Sequence, residues 1–213
     1  MKKDACSFVQ DCISNDKILN PNQYGFIDLI DVFKEVDSII VGLLTSRPSK
    51  EQKESSLIIY TDGSYDRIAE VGGIAFVILD KGKEIAISCE WVLKSTSPRV
   101  EVQAVFEALK YVDTNKFKPE SILIITDSDY VKNSINKYIH NWPKRKWTTS
   151  DETPVKHQDL WKPILDYTKK YNVTAKWVKA HNGNKYNEMV NELALKIMRD
   201  KRELLLLETS KGS

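Results

Sequence analysis

The chain has 213 residues, 32 Lys/Arg against 30 Asp/Glu, a net charge of +2 and a hydrophobic content of 41%. That is the composition of a soluble globular protein rather than of a disordered chain, and charge alone marks no nucleic-acid binder. Apolar runs such as those at 39–44 and 204–207 are far too short to span a bilayer. The length suits one domain of about 150 residues with an appendage, or one large domain. Cys6, Cys12 and Cys89 have no paired spacing, which points to free thiols in a reducing compartment. The start MKKDACSFVQDCI develops no apolar stretch of the kind a secretory signal needs. A cytoplasmic protein with no membrane association is expected.

Charge is uneven along the chain. Residues 1–56 carry 7 Lys/Arg and 9 Asp/Glu, a net of −2, leaving +4 for the rest. Within them, apolar residues at 26, 29, 30, 33, 36, 39, 40, 43 and 44 follow helical spacing, with Asp28, Asp31, Glu35 and Asp37 on the outer face. Residues 1–46 are therefore expected to form a helical extension, whose amphipathic helix at 24–46 is a protein-docking, self-association or self-packing element. The polar stretch RPSKEQKESS at 47–56 reads as a linker. Residues 57–213 make up the main domain.

That domain opens with LIIYT (57–61), a buried strand ending at a DGS turn. GGIAFVIL (72–79) and KEIAISCEWVL (83–93) flank the hairpin signal DKGK. PRVEVQAVFEALKYVD (98–113) is an amphipathic helix, and SILIIT (121–126) a second buried strand followed by DSD. A helix through VKNSINKYIHNW, another over 157–171, a strand at 173–178 and a helix over 186–207 complete the order β-β-β-α-β-α-α-β-α. This predicts an α/β fold: a mixed five-stranded sheet with helices on both faces. Sites in such sheets lie at the C-terminal ends of parallel strands.

Asp62 and Asp127 follow the two buried strands, and Glu101 lies beside the apolar stripe of the intervening helix. Each alone has an ordinary reading. An Asp after a strand is most often a turn or cap residue, and a helix Glu is most often solvated. Together, three such oxygens suit Mg²⁺ or Mn²⁺. Residues 131–150 add Lys132, Lys137, Lys144, Arg145 and Lys146 with no acid, interleaved with Tyr138, Trp142 and Trp147. A charge run is usually a solvated face, but basic residues mixed with aromatics suit phosphate contacts with stacking.

YTDGS (60–64), VGG (71–73), RVEVQAVFEAL (99–109), ITDSDYVKNSI (125–135), YIHNWPKRKW (138–147), PVKHQDLW (154–161) and WVKAHNGNKYNEMVNELA (177–194) follow one another. In that order they resemble type 1 ribonuclease H, the bacterial-like form, over residues 57 to about 200. The resemblance implies a ribonuclease H-like fold and a metal-dependent endonuclease. Such an enzyme cuts the RNA strand of RNA–DNA hybrids to 5′-phosphate and 3′-hydroxyl ends. It implies metal ligands at Asp62, Glu101 and Asp127, and two Mg²⁺ ions about 4 Å apart, with Mn²⁺ as a substitute. It places a proton-transfer or product-release histidine at His181. It also implies a basic protrusion gripping the DNA strand through Lys137, Tyr138, Trp142, Lys144, Arg145, Lys146 and Trp147. A phosphate pocket would include Thr96 and His157. Trp161 is expected in the core.

Several positions depart from the family pattern. The fourth carboxylate is replaced by Asn191, whose amide oxygen can ligate a cation but carries no charge. Three readings of Asn191 stay open: an engineered substrate trap, an enzyme with altered metal demand, and a non-catalytic nucleic-acid-binding relative. Ile68, Ser97 and Pro98 stand where the family has amides reading the 2′-hydroxyl of RNA, and His157 replaces an Asn. Asp129 stands where a Gln is usual; it is expected to cap the following helix, and its alternative is to supply the charge Asn191 lacks.

Overall fold

The computed structural model describes residues 56–211. The expectations for residues 1–46 and for 47–55 of the linker lie outside the described residues; Ser56, taken as the linker's last residue, already begins a strand. The elements are β1 (Ser56–Asp66), β2 (Val71–Asp80), β3 (Lys83–Leu93), α1 (Ser97–Thr114), β4 (Ser121–Thr126), α2 (Asp129–Asn133), α3 (Gln158–Lys170), β5 (Asn172–Trp177) and α4 (Lys185–Lys211). The strands form one sheet in the order β3-β2-β1-β4-β5. β1, β2 and β3 make an antiparallel meander, and β4 and β5 run parallel to β1. This is the mixed five-stranded sheet the sequence predicts.

Local chemistry accounts for the meander. Lys81 and Gly82 both take positive φ, 51° and 77°, the backbone that a two-residue hairpin turn with matching twist requires. β2 is buried from Val71 through Leu79, because helices cover both faces of the sheet there. The main core lies on one face, where Ile59, Ile122 and Ile124 meet Val105, Leu109, Trp161 and Ile164, all fully buried. α4 packs on β1, β2 and β3.

Two glycines set how closely the helices approach. A Cβ on Gly63 would lie 2.6 Å from the Val100 carbonyl carbon and 2.7 Å from the Glu101 nitrogen, so α1 rests on the backbone of β1. A Cβ on Gly73 would lie 2.0 Å from the Ala194 carbonyl oxygen, so α4 rests on the backbone of β2. Neither contact tolerates a side chain without moving a helix.

The expected continuous helix through residues 131–142 is broken into pieces. Ser128, not Asp129, caps it, its hydroxyl accepting from the Val131 N–H at 3.3 Å. After α2 the backbone widens into a π-helical turn at Ser134–Tyr138, with the Ile139 N–H reaching back to the Ser134 carbonyl at 2.9 Å. The widening serves Asn136, whose side chain donates to the Ala175 carbonyl (2.7 Å) and accepts from the Ala175 N–H (2.8 Å). An asparagine thus occupies the edge of β5 that a further strand would otherwise pair with. A short 3₁₀ turn at Pro143–Arg145 follows; Lys146 and Trp147 then adopt positive φ and reverse the chain. The last helix starts one residue earlier than expected and runs to Lys211.

Gly73→Ala is expected to destabilise the domain by about 1–3 kcal/mol through overpacking against α4. Denaturant melts would check this, and an unchanged midpoint would show that α4 can lift from β2 at no cost.

Candidate active site

Asp62 belongs to β1 itself. The sequence reading ends that strand at Thr61 with DGS as a turn, but β2 pairs with β1 along its length, setting Asp62 opposite Ala75. The parallel ladder with β4 does stop early, at Tyr60–Ile125. Continuing its register two residues brings Asp62 level with Asp127, which follows the last residue of β4. The two aspartates therefore face each other across a gap in the sheet where β1 and β4 no longer pair, at the C-terminal ends of parallel strands.

Glu101 reaches this gap from α1. Its place is fixed by the backbone contact at Gly63, since the nitrogen of Glu101 is one of the atoms closest to that glycine. One carboxylate oxygen from each of Asp62, Glu101 and Asp127 lies within 4.8 Å of the others. Among the described residues this is the one cluster of three metal-ligating side chains.

Three carboxyl groups this close cannot all ionise cheaply. Burial, and then the charge of Asp127, push Asp62 up to about 7. Burial, and then the charges of Asp62 and Asp127, hold Glu101 well above the ordinary carboxylate range. The Gly63 backbone N–H opposes these shifts at both carboxylates without overcoming them. Glu101 Oε2 is buried and has no hydrogen-bond partner. An orphaned carboxylate oxygen inside a like-charged cluster fits a hard divalent cation such as Mg²⁺ or Mn²⁺.

α4 crosses the same face of β1 as Asp62. Side chains alternate along a strand, so Tyr60, Asp62 and Ser64 share a face. The Tyr60 ring lies 5.3 Å from that of Tyr186. Ser64 pairs with Gly73, which abuts Ala194. The turns of α4 between those contacts carry Asn187, Val190 and Asn191, so Asn191 is half-buried on the stretch of helix that passes Asp62. His181 is exposed, with φ 51°, on the loop from β5 to α4. That loop is anchored where the Gly183 N–H donates to Glu188 Oε1 (2.8 Å) and the Asn187 N–H to Asn184 Oδ1 (3.2 Å).

The remaining sequence-predicted residues fall into two groups. Lys137, Tyr138, Lys144, Arg145 and Lys146 are exposed, and Trp147 is half-buried with the Lys162 ammonium 5.4 Å from its ring centre. Trp142 is different. It is 8% exposed, packed on Trp161 and Trp147, and part of the main core. Its ring has no open face for stacking, which corrects its placement with the surface aromatics. Thr96 is exposed at the start of α1 and its hydroxyl makes no capping bond; half-buried His157 precedes α3. An Arg99–Asp159 fork ties these two helix starts together. Asp129 is exposed and paired with Lys132 at 2.9 Å, and it is not part of the carboxylate cluster.

Sequence reasoning missed the supporting residues. Gly63 was read as part of a turn; Asn136 and Trp177 carried no signal because each acts through a backbone partner distant in sequence, and Thr126 carried none although it holds the N–H two residues on.

The RNase H family model matches residues 54–199. Ribonuclease H of Pseudoalteromonas translucida is 41% identical over 141 residues, 66% of this chain and 88% of that protein. Ribonuclease H of Haemophilus influenzae is 38% identical over 143 residues, 67% and 90% of the two chains. Among solved structures, LC9-RNase H1, a type 1 RNase H with the type 2 active-site motif, superposes with a TM-score of 0.57 at 22% identity, covering 70% of this chain and 74% of that one. The foamy viral protease-reverse transcriptase in complex with RNA/DNA hybrid gives 0.60 at 23%, covering 72% of this chain and 22% of that one. The structural likenesses speak for the fold. The family match spans all three clustered carboxylates, and the chain belongs to the RNase H family, in its type 1, bacterial form.

Proposed function

We propose that this chain is a metal-dependent ribonuclease H that hydrolyses the RNA strand of RNA–DNA hybrids to 5′-phosphate and 3′-hydroxyl ends. The observation that carries the reading is the convergence of Asp62, Glu101 and Asp127 within 4.8 Å on a domain of this family. Asp62, Glu101 and Asp127 would hold two Mg²⁺ or Mn²⁺ ions, with the Asn191 amide oxygen as an uncharged fourth donor. When bound, such ions supply positive charge for the phosphate oxygens and lower the pKa of the attacking water.

The chain's own residues do the rest. Asp62, with Glu101 and Asp127 within 4.8 Å of it, would be a carboxylate ligand of that metal site. His181, exposed on an anchored loop, exchanges protons with the leaving oxygen or helps product depart. Lys137, Lys144, Arg145 and Lys146 hold DNA-strand phosphates, a salt-sensitive contact, with Tyr138 and Trp147 packing on sugars or bases. Thr96 and His157 contribute a further phosphate contact from two joined helix starts. Recognition of RNA by amides is weak here, because Ile68 and Pro98 offer no side-chain hydrogen-bonding group and Ser97 offers a short hydroxyl in place of an amide.

A labelled RNA–DNA hybrid should be cut in Mg²⁺ or Mn²⁺, and Asp62→Asn should lower the rate by at least about 100-fold, since even outer-shell losses cost 10–100-fold. Equal activity in the two proteins would remove the reading. Asn191→Asp should reduce the Mg²⁺ concentration for half-maximal cleavage on the order of tenfold, as an added charge near the ions requires. No shift would mean that the position does not sense the metal.

The raised pKa of Asp62 has a defined pH consequence. The folded metal-free protein holds that proton from about 4 up to about 7, while the unfolded chain has released it. This site's contribution to stability therefore falls as pH rises from about 4 to about 7, where the folded group finally ionises. Thermal melts of metal-free protein across that window should show the decline, and Asp62→Asn should make it shallower, leaving the part that the buried Glu101 contributes. A wild-type profile matching that of the variant would contradict the shift.

A further inference from the structure

We infer that Trp177 is a positioning residue for Asp127, holding the backbone from which that carboxylate projects. The inference rests on the proposed metal-dependent cleavage and adds to it a residue outside the ligand set.

Trp177 ends β5 with 41% of its surface exposed. A tryptophan this exposed is not placed for burial, and its indole N–H has a specific partner: the Asp127 carbonyl oxygen, 2.7 Å away. The other end of the same peptide is also held. The Ser128 N–H donates to Thr126 Oγ1 at 3.0 Å, and Thr126 is fully buried. The peptide before Asp127 is pinned as well, because the Val178 N–H donates to the Thr126 carbonyl at 3.0 Å.

A residue has two soft backbone dihedrals, and the peptide planes on either side define them. Here both planes flanking the Asp127 α-carbon are fixed by bonds from outside the residue. The direction of its Cα–Cβ bond follows, and so does the reach of its carboxylate toward Asp62 and Glu101. The bonds matter because Asp127 lies past the end of β4, where the ladder no longer fixes the chain. β5 can bear the load because Asn136 clamps it two residues upstream, at Ala175.

The role is separable from packing. Trp177→Phe keeps a large ring on a partly exposed surface and removes only the N–H. Thr126→Val keeps the shape of a buried side chain and removes the grip on the other end of the same peptide. Full-length wild type and both variants are compared by hybrid cleavage in Mg²⁺, by calorimetric titration of the metal-free proteins with Mn²⁺, and by thermal melting.

Trp177→Phe is expected to lower kcat and to weaken Mn²⁺ binding, each by about three- to tenfold, the reach of one lost hydrogen bond. KM should stay within about twofold and the melting temperature within a few degrees. Thr126→Val should shift kcat and Mn²⁺ affinity in the same direction. Unchanged kcat and Mn²⁺ affinity in Trp177→Phe overturn the inference, whatever the melting temperature does. A raised KM at constant kcat also overturns it, by making Trp177 a substrate contact. If Trp177→Phe fails to fold, Thr126→Val alone decides, and wild-type Mn²⁺ affinity in that variant rejects the inference. Absence of cleavage by the wild type would instead remove the underlying nuclease reading, while the Mn²⁺ titrations would still report on Trp177.

Discussion

The approach of α1 to β1 at Gly63 governs the site. Backbone meets backbone there, at a separation that no Cβ could occupy. Only at that distance does Glu101 reach the gap between β1 and β4, where Asp62 and Asp127 stand level. The same glycine turns its N–H toward both Asp62 and Glu101, so one residue supplies the close contact and part of the compensation for crowding like charges. What it leaves uncompensated, an orphaned Glu101 oxygen and two raised carboxyl groups, is the chemical demand that a divalent cation meets.

The frame around that cluster is built from backbone groups held at a distance by side chains. Asn136 stands in for a sixth strand at the edge of β5, and Thr126 and Trp177 grip the peptide after Asp127. These bonds run in a line from the π-helical turn at the root of the basic segment, through β5, to a carboxylate of the acidic cluster. The segment proposed to hold DNA phosphates and the residue proposed to hold metal are thus parts of one hydrogen-bonded frame. The irregular backbone of residues 134–147 is the local cost of that arrangement: a regular α-helix would bring a different side chain to Ala175.

The sheet and its helices were legible because burial follows simple periodicities. SILIIT and GGIAFVIL are apolar in runs as strands covered on both faces must be, and the α1 stripe repeats at helical spacing. Asp62, Glu101 and Asp127 were legible because a carboxylate beside an apolar element needs a reason. The errors come from signals with two meanings. DGS has turn chemistry, yet pairing with β2 carries the strand through it to Asp66. Trp142 alternates with lysines in sequence, yet the reversal at Lys146 and Trp147 folds it onto Trp161. Ser128 and Asp129 are both good caps, and only the hydrogen bond to Val131 separates them. Trp177 was invisible because its partner is a carbonyl fifty residues away.

Asn191 has an energetic logic on both sides of metal binding. The cluster it passes already holds two carboxyl groups that resist ionisation. A fourth carboxylate would add repulsion to the metal-free fold, on a helix fixed against β2 at Gly73 and so unable to retreat. An amide keeps an oxygen donor at that place and removes the charge. Under the proposed chemistry the same substitution lowers the attraction for two divalent ions. On that proposal the residue would shift the balance from metal affinity toward metal-free stability, and Asp129, paired with Lys132 outside the cluster, would not restore the charge.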